Sequence, residues 1–344
     1  MLYFVLGLPG NFAAWCDDVV AQLAAKTAGS SELIHAESLA EISRKMIGNT
    51  AGAVVVAARQ PGGRLRAALI ERGRDFVVAL EDPRSAVAHL VLEQGVEFAA
   101  AVKVVASSCG AAVDSTSAPR ALLLIAGDHQ ADPVAAASSI ARHLDFAAGE
   151  VEIGEIIRVP GAEGSWSERP EIAFWWNKLD RNRRETAEGA LGPYISYFKD
   201  GDLLPLRWAS ELFFLGDRPA ERATDIIDIT GRSRCLLHGP YIMLPAGFWG
   251  LSFRAFFSRE AAEHDFSLEV LAGKQLASRS IRPRAEGIFE VDLTFVVDGL
   301  SDHPIDIRLS MERSAFDGAL RLAEVVVNRQ TEVMLAPVAV AAAI

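Results

Sequence analysis

Five short apolar runs, LYFVLG, ELIHAE, GAVVVAA, DFVVAL and ALLLIAG, alternate with segments of helical periodicity over the first 127 residues. Runs this short and apolar, bounded by polar or turn residues, read as strands buried on both faces. Between them Trp15, Val19 and Leu23 recur at helical spacing, as do Leu65 and Leu69, then Ala86 and Leu90, each set marking one apolar helix face. Strand and helix in strict alternation predict an α/β fold, a doubly wound parallel sheet with helices on both faces. Ligands of such sheets sit at the carboxyl ends of the strands, so the loops after Leu6, Ala58, Leu80 and Ile125 are the ones to inspect.

A different texture begins near residue 223. DIIDIT, RCLLHG, WGLSFRAFF, DFSLEVLA, FEVDLTFVV, IDIRLSM and LRLAEVVVN follow one another at turn-separated intervals. FEVDLTF and IDIRLSM alternate apolar with polar residues, as half-buried antiparallel strands do. The expectation is an all-β sandwich or jelly roll. The chain thus divides into an α/β domain at 1–146, a helical and irregular aromatic-rich extension at 147–222, a β-sandwich at 223–330 and a tail at 331–344. With 50% hydrophobic residues the 344-residue chain has apolar surface enough for more than one core.

Charge and cysteine usage remove several classes of function. The 34 Lys and Arg against 45 Asp and Glu leave a net charge of −11, which opposes a non-specific grip on nucleic acid or anionic lipid; a polyanion could still bind a local basic patch such as the one around Arg279 to Arg284. Cys16, Cys109 and Cys235 are odd in number and lack C-x-x-C spacing, so no disulfide framework and no metal site are expected. The apolar start has no Lys or Arg ahead of it and is followed by Asp17 and Asp18, unlike a signal peptide. The apolar stretch Met334–Ile344 is too short to span a bilayer. A cytoplasmic protein with no membrane span is the expectation.

The first strand ends in LGLPG and runs into the helix bearing Trp15, the layout of a loop whose N–H groups and helix N-terminus receive a phosphate. Two later segments, VVALEDPRSAVAHL and LLLIAGDHQADPVAAASSIARHLDF, complete a pattern that resembles the sulfotransferases in order and spacing; Asp132, Pro133, His143 and Leu144 match the third segment. The resemblance implies a P-loop-like α/β fold. It also exposes departures at the positions that would hold the phosphorylated sulfate donor. Where the family has Pro, Lys or Arg, Ser, Gly, Thr, Thr and Trp, this chain has Pro9, Gly10, Asn11, Phe12, Ala13, Ala14 and Trp15. By the same resemblance Glu81 replaces an Arg that grips the donor's ribose phosphate, and His89 falls where a Ser makes the companion contact. Each lost charged hydrogen bond costs ~1.5–3 kcal/mol, so binding of adenosine 3′-phosphate 5′-phosphosulfate is expected to be lost and no cofactor is assigned. No residue is named as catalytic. His35, Glu37, Glu81 and His89 are the candidate bases near sheet ends, and His89 reads more readily as a packed, hydrogen-bonded histidine than as a base. Glu81 with Asp82, and Asp225 with Asp228, read as turns or caps, and Asp82-Pro83-Arg84 as a helix start. G-x-S-x-G, G-x-G-x-x-G and metal-ligand His spacings are absent from the sequence.

Gly239, Pro240, Tyr241, Leu244, Pro245, Gly247 and Trp249 resemble an all-β module at the end of glycosyltransferases and methyltransferases of bacterial polysaccharide gene clusters. The resemblance implies a carbohydrate-binding role. Saccharide sites pair an aromatic face with side chains that bond hydroxyls, and His238, Tyr241, Trp249 and Arg254 are the candidates. Trp249 and Phe253, four apart in a strand, share one face, which is either the sandwich core or a ligand surface. Taken together these residues lean against an enzyme. They predict a non-catalytic, sulfotransferase-like protein of bacterial polysaccharide assembly or modification, with a glycan or an assembly protein as partner and an oligomer as a further option. The alternative is an active transferase, of sulfuryl or another group, on a carbohydrate acceptor, with Asn11, Asp82 and His89 lining its cleft.

Overall fold

The computed structural model describes residues 1–129, 132–157 and 170–330. The expected tail at 331–344 and part of the aromatic extension lie outside the described residues. The chain forms two compact units, 1–179 and 180–344.

The first unit has strands β1 (Leu2–Gly7), β2 (Ser31–His35), β3 (Ala53–Ala58), β4 (Phe76–Leu80) and β5 (Ala121–Ile125). They pair in parallel in the order β2-β3-β1-β4-β5. Helices α1 (Asn11–Ala28), α2 (Leu39–Lys45), α3 (Gly63–Glu71), α4 (Pro83–Leu92), α5 (Phe98–Thr116), α6 (Ala126–His129), α7 (Pro133–His143), α8 (Glu150–Ile157) and α9 (Pro170–Lys178) connect and follow the strands. The α/β prediction holds strand for strand. Trp15, Val19 and Leu23 of α1 face Val5, Val55 and Val77 of the sheet and Ile140 of α7 in one core. Leu65, Leu69, Ala86 and Leu90 are buried as their spacing requires. Asp82 caps α4 through the Arg84 N–H at 2.8 Å, with Pro83 in the first turn. Helix α5 is long and apolar enough to cross a membrane by composition, yet most of it is buried within the protein.

The connections from β1 and β4 leave in opposite directions along the sheet, toward β2 and toward β5. Their adjacent carboxyl ends are therefore the topological switch point, where such folds place ligands.

The second unit begins with α10 (Arg181–Asp200) and continues as β6 (Leu206–Trp208), β7 (Phe214–Leu215), β8 (Ile227–Asp228), β9 (Arg234–Ile242), β10 (Gly247–Phe257), β11 (Phe266–Ala272), β12 (Lys274–Ile281), β13 (Gly287–Val297), β14 (Ile305–Met311) and β15 (Ala319–Gln330). Two antiparallel sheets result, β13-β10-β15-β6 with β8 beside β15, and β12-β11-β14-β9-β7. Trp249, Leu251 and Phe253 from the first sheet and Leu268, Val270, Ile307 and Leu309 from the second are buried, and Phe257 meets Phe266 with ring centres 5.0 Å apart. In β15 the buried positions run Leu320, Leu322, then Val325, Val327. A bulge opposite Arg254 and Ala255 absorbs the change of phase. The aromatic-rich stretch at 147–222 divides between the units: α8 and α9 belong to the first, while β6 and β7 enter the two sheets of the second.

Candidate functional sites

At the switch point the loop Leu8–Gly10 follows β1 and Glu81 follows β4. Helix α1 starts after Gly10 with no side-chain cap of its own, leaving its first N–H groups to find partners elsewhere. Glu81 supplies one: its Oε1 accepts from the Phe12 N–H at 3.3 Å. The carboxylate lies so close to Gly10 that a methyl group there would collide with it. A helix N-terminus favours an anion, and here the anion is the protein's own. Phe12 and Ala13 are buried at 0% and 1% exposure, and Phe12 stacks on Trp15 with ring centres 5.9 Å apart. Both side chains point into the core, while Ala14 is exposed.

Around this loop the charged groups pair internally. Asn11 Nδ2 donates to Glu93 Oε1 at 3.5 Å; the other Glu93 oxygen is 3.1 Å from His89 Nδ1, whose Nε2 lies 3.0 Å from Gln94 Nε2. Asn11 and His89 therefore do come together, through Glu93, which the sequence reading missed. Asp82 turns instead to Arg84, at 2.7 Å. Arg59, after β3, donates to buried Asp17. The second Asp17 oxygen has no hydrogen-bond partner among the described residues, and burial, only partly offset by Arg59, raises its carboxyl to about 6. Glu37 accepts from the Arg59 and Gln60 N–H groups at 3.0 and 2.7 Å; burial raises its carboxyl as well. His35 is lowered by burial and by Arg59 and Lys45. Among the described residues no cluster of three or more His, Cys, Asp or Glu side chains is arranged for a metal.

The β unit separates the four saccharide candidates. Trp249 is fully buried, its indole N–H donating to the Pro245 carbonyl at 3.0 Å; it is core. Arg254 lies on the outer face of the β13-β10-β15 sheet, 3.8 Å from Glu290 and 3.9 Å from Glu324. His238 and Tyr241 come together on the opposite sheet, sharing a 2.6 Å hydrogen bond between Nδ1 and the phenol. Phe214 of β7 extends this surface: its ring stacks on His238 at 5.7 Å and meets Tyr241 at 6.4 Å. Arg308 of β14 is the cross-strand neighbour of His238. Its Nε donates to buried Asp306 at 2.7 Å, and Asp306 in turn accepts from the Gly239 N–H at 3.1 Å. Tyr241 has φ of +64°, a left-handed backbone uncommon for a bulky residue. Burial, then the Asp306 carboxylate, raises its phenol above the usual range, so it stays a neutral hydroxyl. Phe214, Asp306 and Arg308 carried no readable signal, because their link to His238 and Tyr241 is made only by strand pairing.

No family model matches the chain, and no curated protein sequence matches it. Among solved structures it is similar in part to mouse sulfotransferase SULT7A1 complexed with PAP, at 10% identity over 49% of this chain and 65% of that one, TM-score 0.38. It is also similar to a sulfotransferase from Alicyclobacillus acidocaldarius, at 12% identity over 56% and 98%, TM-score 0.31. A third likeness is to the C-terminal CBM6 of LamC from Zobellia galactanivorans, at 15% identity over 37% and 100%, TM-score 0.26. The chain spans about two-thirds of the mouse enzyme's length.

Proposed function

We propose that this is a non-catalytic carbohydrate-binding protein of bacterial polysaccharide assembly or modification. In this proposal the α/β unit has lost the phosphorylated donor site of the sulfotransferases it resembles, and the β unit binds glycan at the His238, Tyr241, Phe214 and Arg308 surface. The observation that carries the proposal is the Glu81 carboxylate at the start of α1. A donor phosphate brought to that helix end would meet a negative charge where it needs a positive one, beside a loop with no cation of its own. The β-unit surface has the opposite character. It offers aromatic rings for a pyranose face, a neutral phenol and an arginine whose outer nitrogens have no recorded partner among the described residues.

Two measurements on the purified chain test this. Adenosine 3′,5′-bisphosphate at millimolar concentration is expected to leave the melting temperature unchanged. Ligand at ~100 times its dissociation constant would stabilise by ~2.7 kcal/mol and shift it by several degrees. A glycan array covering neutral and acidic polysaccharides is expected to show binding that Tyr241→Ala weakens at least tenfold. A clear shift with the nucleotide would sink the lost-donor half, and an array blank for all glycans the carbohydrate half.

The alternative, a transferase acting on a carbohydrate acceptor, draws on Asn11, Glu93 and His89 meeting beside α1. It predicts transfer from an activated donor that His89→Ala abolishes, whereas our proposal predicts none.

A further inference from the structure

The outer face of the β13-β10-β15 sheet holds a groove that none of the sequence candidates lines. Because Trp249, Leu251 and Phe253 point inward, Phe248, Gly250 and Ser252 point out. Strand pairing sets Phe248 between Val296 and Gln330, and Gly250 between Thr294 and Asn328. Lys274, Gln275 and Leu276 of β12, with Asp298 after β13, border Phe248, Thr294 and Val296 to make an open groove of about 660 Å³, within the range of small-molecule sites.

Gly250, Asn328 and Gln330 flank this groove as strand neighbours of its Phe248 and Thr294, outside the lining itself. A Cβ at Gly250 would lie 2.5 Å from Gln330 Nε2 and 2.7 Å from Asn328 Oδ1, so only glycine lets both amides lie down on the strand. Those amides are half-buried, yet neither has a recorded hydrogen bond among the described residues. Partly desolvated amides that bond nothing in the protein are unfavourable unless water or a ligand completes them. Each offers a donor and an acceptor, matching vicinal hydroxyls, and Thr294 adds a third hydroxyl-bonding group beside the Phe248 ring. Lys274 and Asp298 oppose each other in sign, so the groove presents no net charge for an ion.

We propose that this groove is a second saccharide site, specific for a short neutral oligosaccharide and independent of the His238 and Tyr241 surface. The test uses the full chain carrying Tyr241→Ala, in which this groove is intact and the opposite surface is not. Titration calorimetry with the β-1,4-linked trisaccharides of glucose, galactose and xylose is expected to show one of them binding at one site per chain. Asn328→Ala with Gln330→Ala, and separately Phe248→Ala, should weaken that binding at least tenfold. Asn328→Asp preserves shape and serves where the double variant folds poorly; it too should weaken binding. If the Tyr241→Ala chain binds no trisaccharide, or binds one with unchanged affinity after the groove substitutions, the second site is wrong. Trisaccharide binding by the unsubstituted chain alone would support the first surface, and binding by neither would remove the second site, the first being judged by the glycan array.

Discussion

At the carboxyl end of the parallel sheet most charged and polar side chains pair with one another, Glu81 with the start of α1, Arg59 with Asp17, Arg84 with Asp82 and Asn11 with Glu93, although one Asp17 oxygen and one Arg59 nitrogen are buried there without a hydrogen-bond partner among the described residues. On the outer faces of the antiparallel unit, the outer nitrogens of Arg308 and the amides of Asn328 and Gln330 have no recorded partner among the described residues. The contrast teaches where to look for a ligand. Groups that satisfy each other stabilise a fold and leave little for binding, whereas groups held in place but left incomplete have hydrogen-bonding capacity to offer.

The contrast can be broken most forcefully at Trp249 and Tyr241, eight residues apart in the sequence. Trp249→Ala should destabilise the β unit by about 3–5 kcal/mol, the range for emptying a large buried aromatic, read as a lower urea midpoint. Tyr241→Ala should leave that midpoint nearly unchanged and act on glycan binding; equal losses would mean both residues are core.

Next comes Asp17. Folding raises its carboxyl to about 6 from 3.8, so the folded chain holds the proton more tightly than the unfolded one. That contribution is fully present below pH 3.8 and is lost as pH rises through about 6, a change of about 3 kcal/mol. The unsubstituted protein should therefore lose stability relative to Asp17→Asn over that window in denaturant titrations at successive pH values. A flat difference would mean that Arg59 keeps the carboxylate ionised throughout.

Glu81 gives a smaller effect with a sharper meaning. Glu81→Ala should cost about 1–2 kcal/mol, as loss of a helix cap does, and should make the melting temperature rise with added sulfate, which the unsubstituted protein should ignore. No gain in sulfate response would mean that the helix end is closed by something other than charge. Smallest is Arg254→Ala, which removes two long, exposed ion pairs and should change stability by less than ~1 kcal/mol. A larger loss in thermal melts would mark that face as better ordered than its exposure suggests.

Much of the fold was legible because burial writes itself into sequence period. All five parallel strands and seven of the antiparallel ones were readable as apolar or alternating runs. β12, KQLASRSI, was not: it is an edge strand with half of its side chains exposed, and such strands carry polar residues that blur the alternation. Its Arg279, read as part of a basic patch, instead donates to the Asp292 carbonyl of β13 at 3.1 Å. β6 and β7 are three and two residues long, too short to show a period. In the candidate sites, the loss of cations from the first loop was plain, but not that Glu81 would close on it, since the two loops meet only when β1 pairs with β4. Asp306 reaches Gly239 across 67 residues in the same way. Trp249 was ambiguous because a core aromatic and a ligand-stacking one share a strand pattern.

The bulge in β15 acts as a frame correction. Ala323 is the extra residue there, with Glu324 opposite Arg254 and Leu322 opposite Ala255. Because side chains alternate with period two, a residue removed elsewhere in the strand would invert everything on one side of it. Removing Ala323 itself does the opposite: Leu320, Leu322, Val325 and Val327 then fall into one unbroken alternation and all stay in the core. A single-codon deletion at Ala323 should therefore be tolerated far better than one at Val326, which would turn Val327 to solvent and drive Asn328 inward.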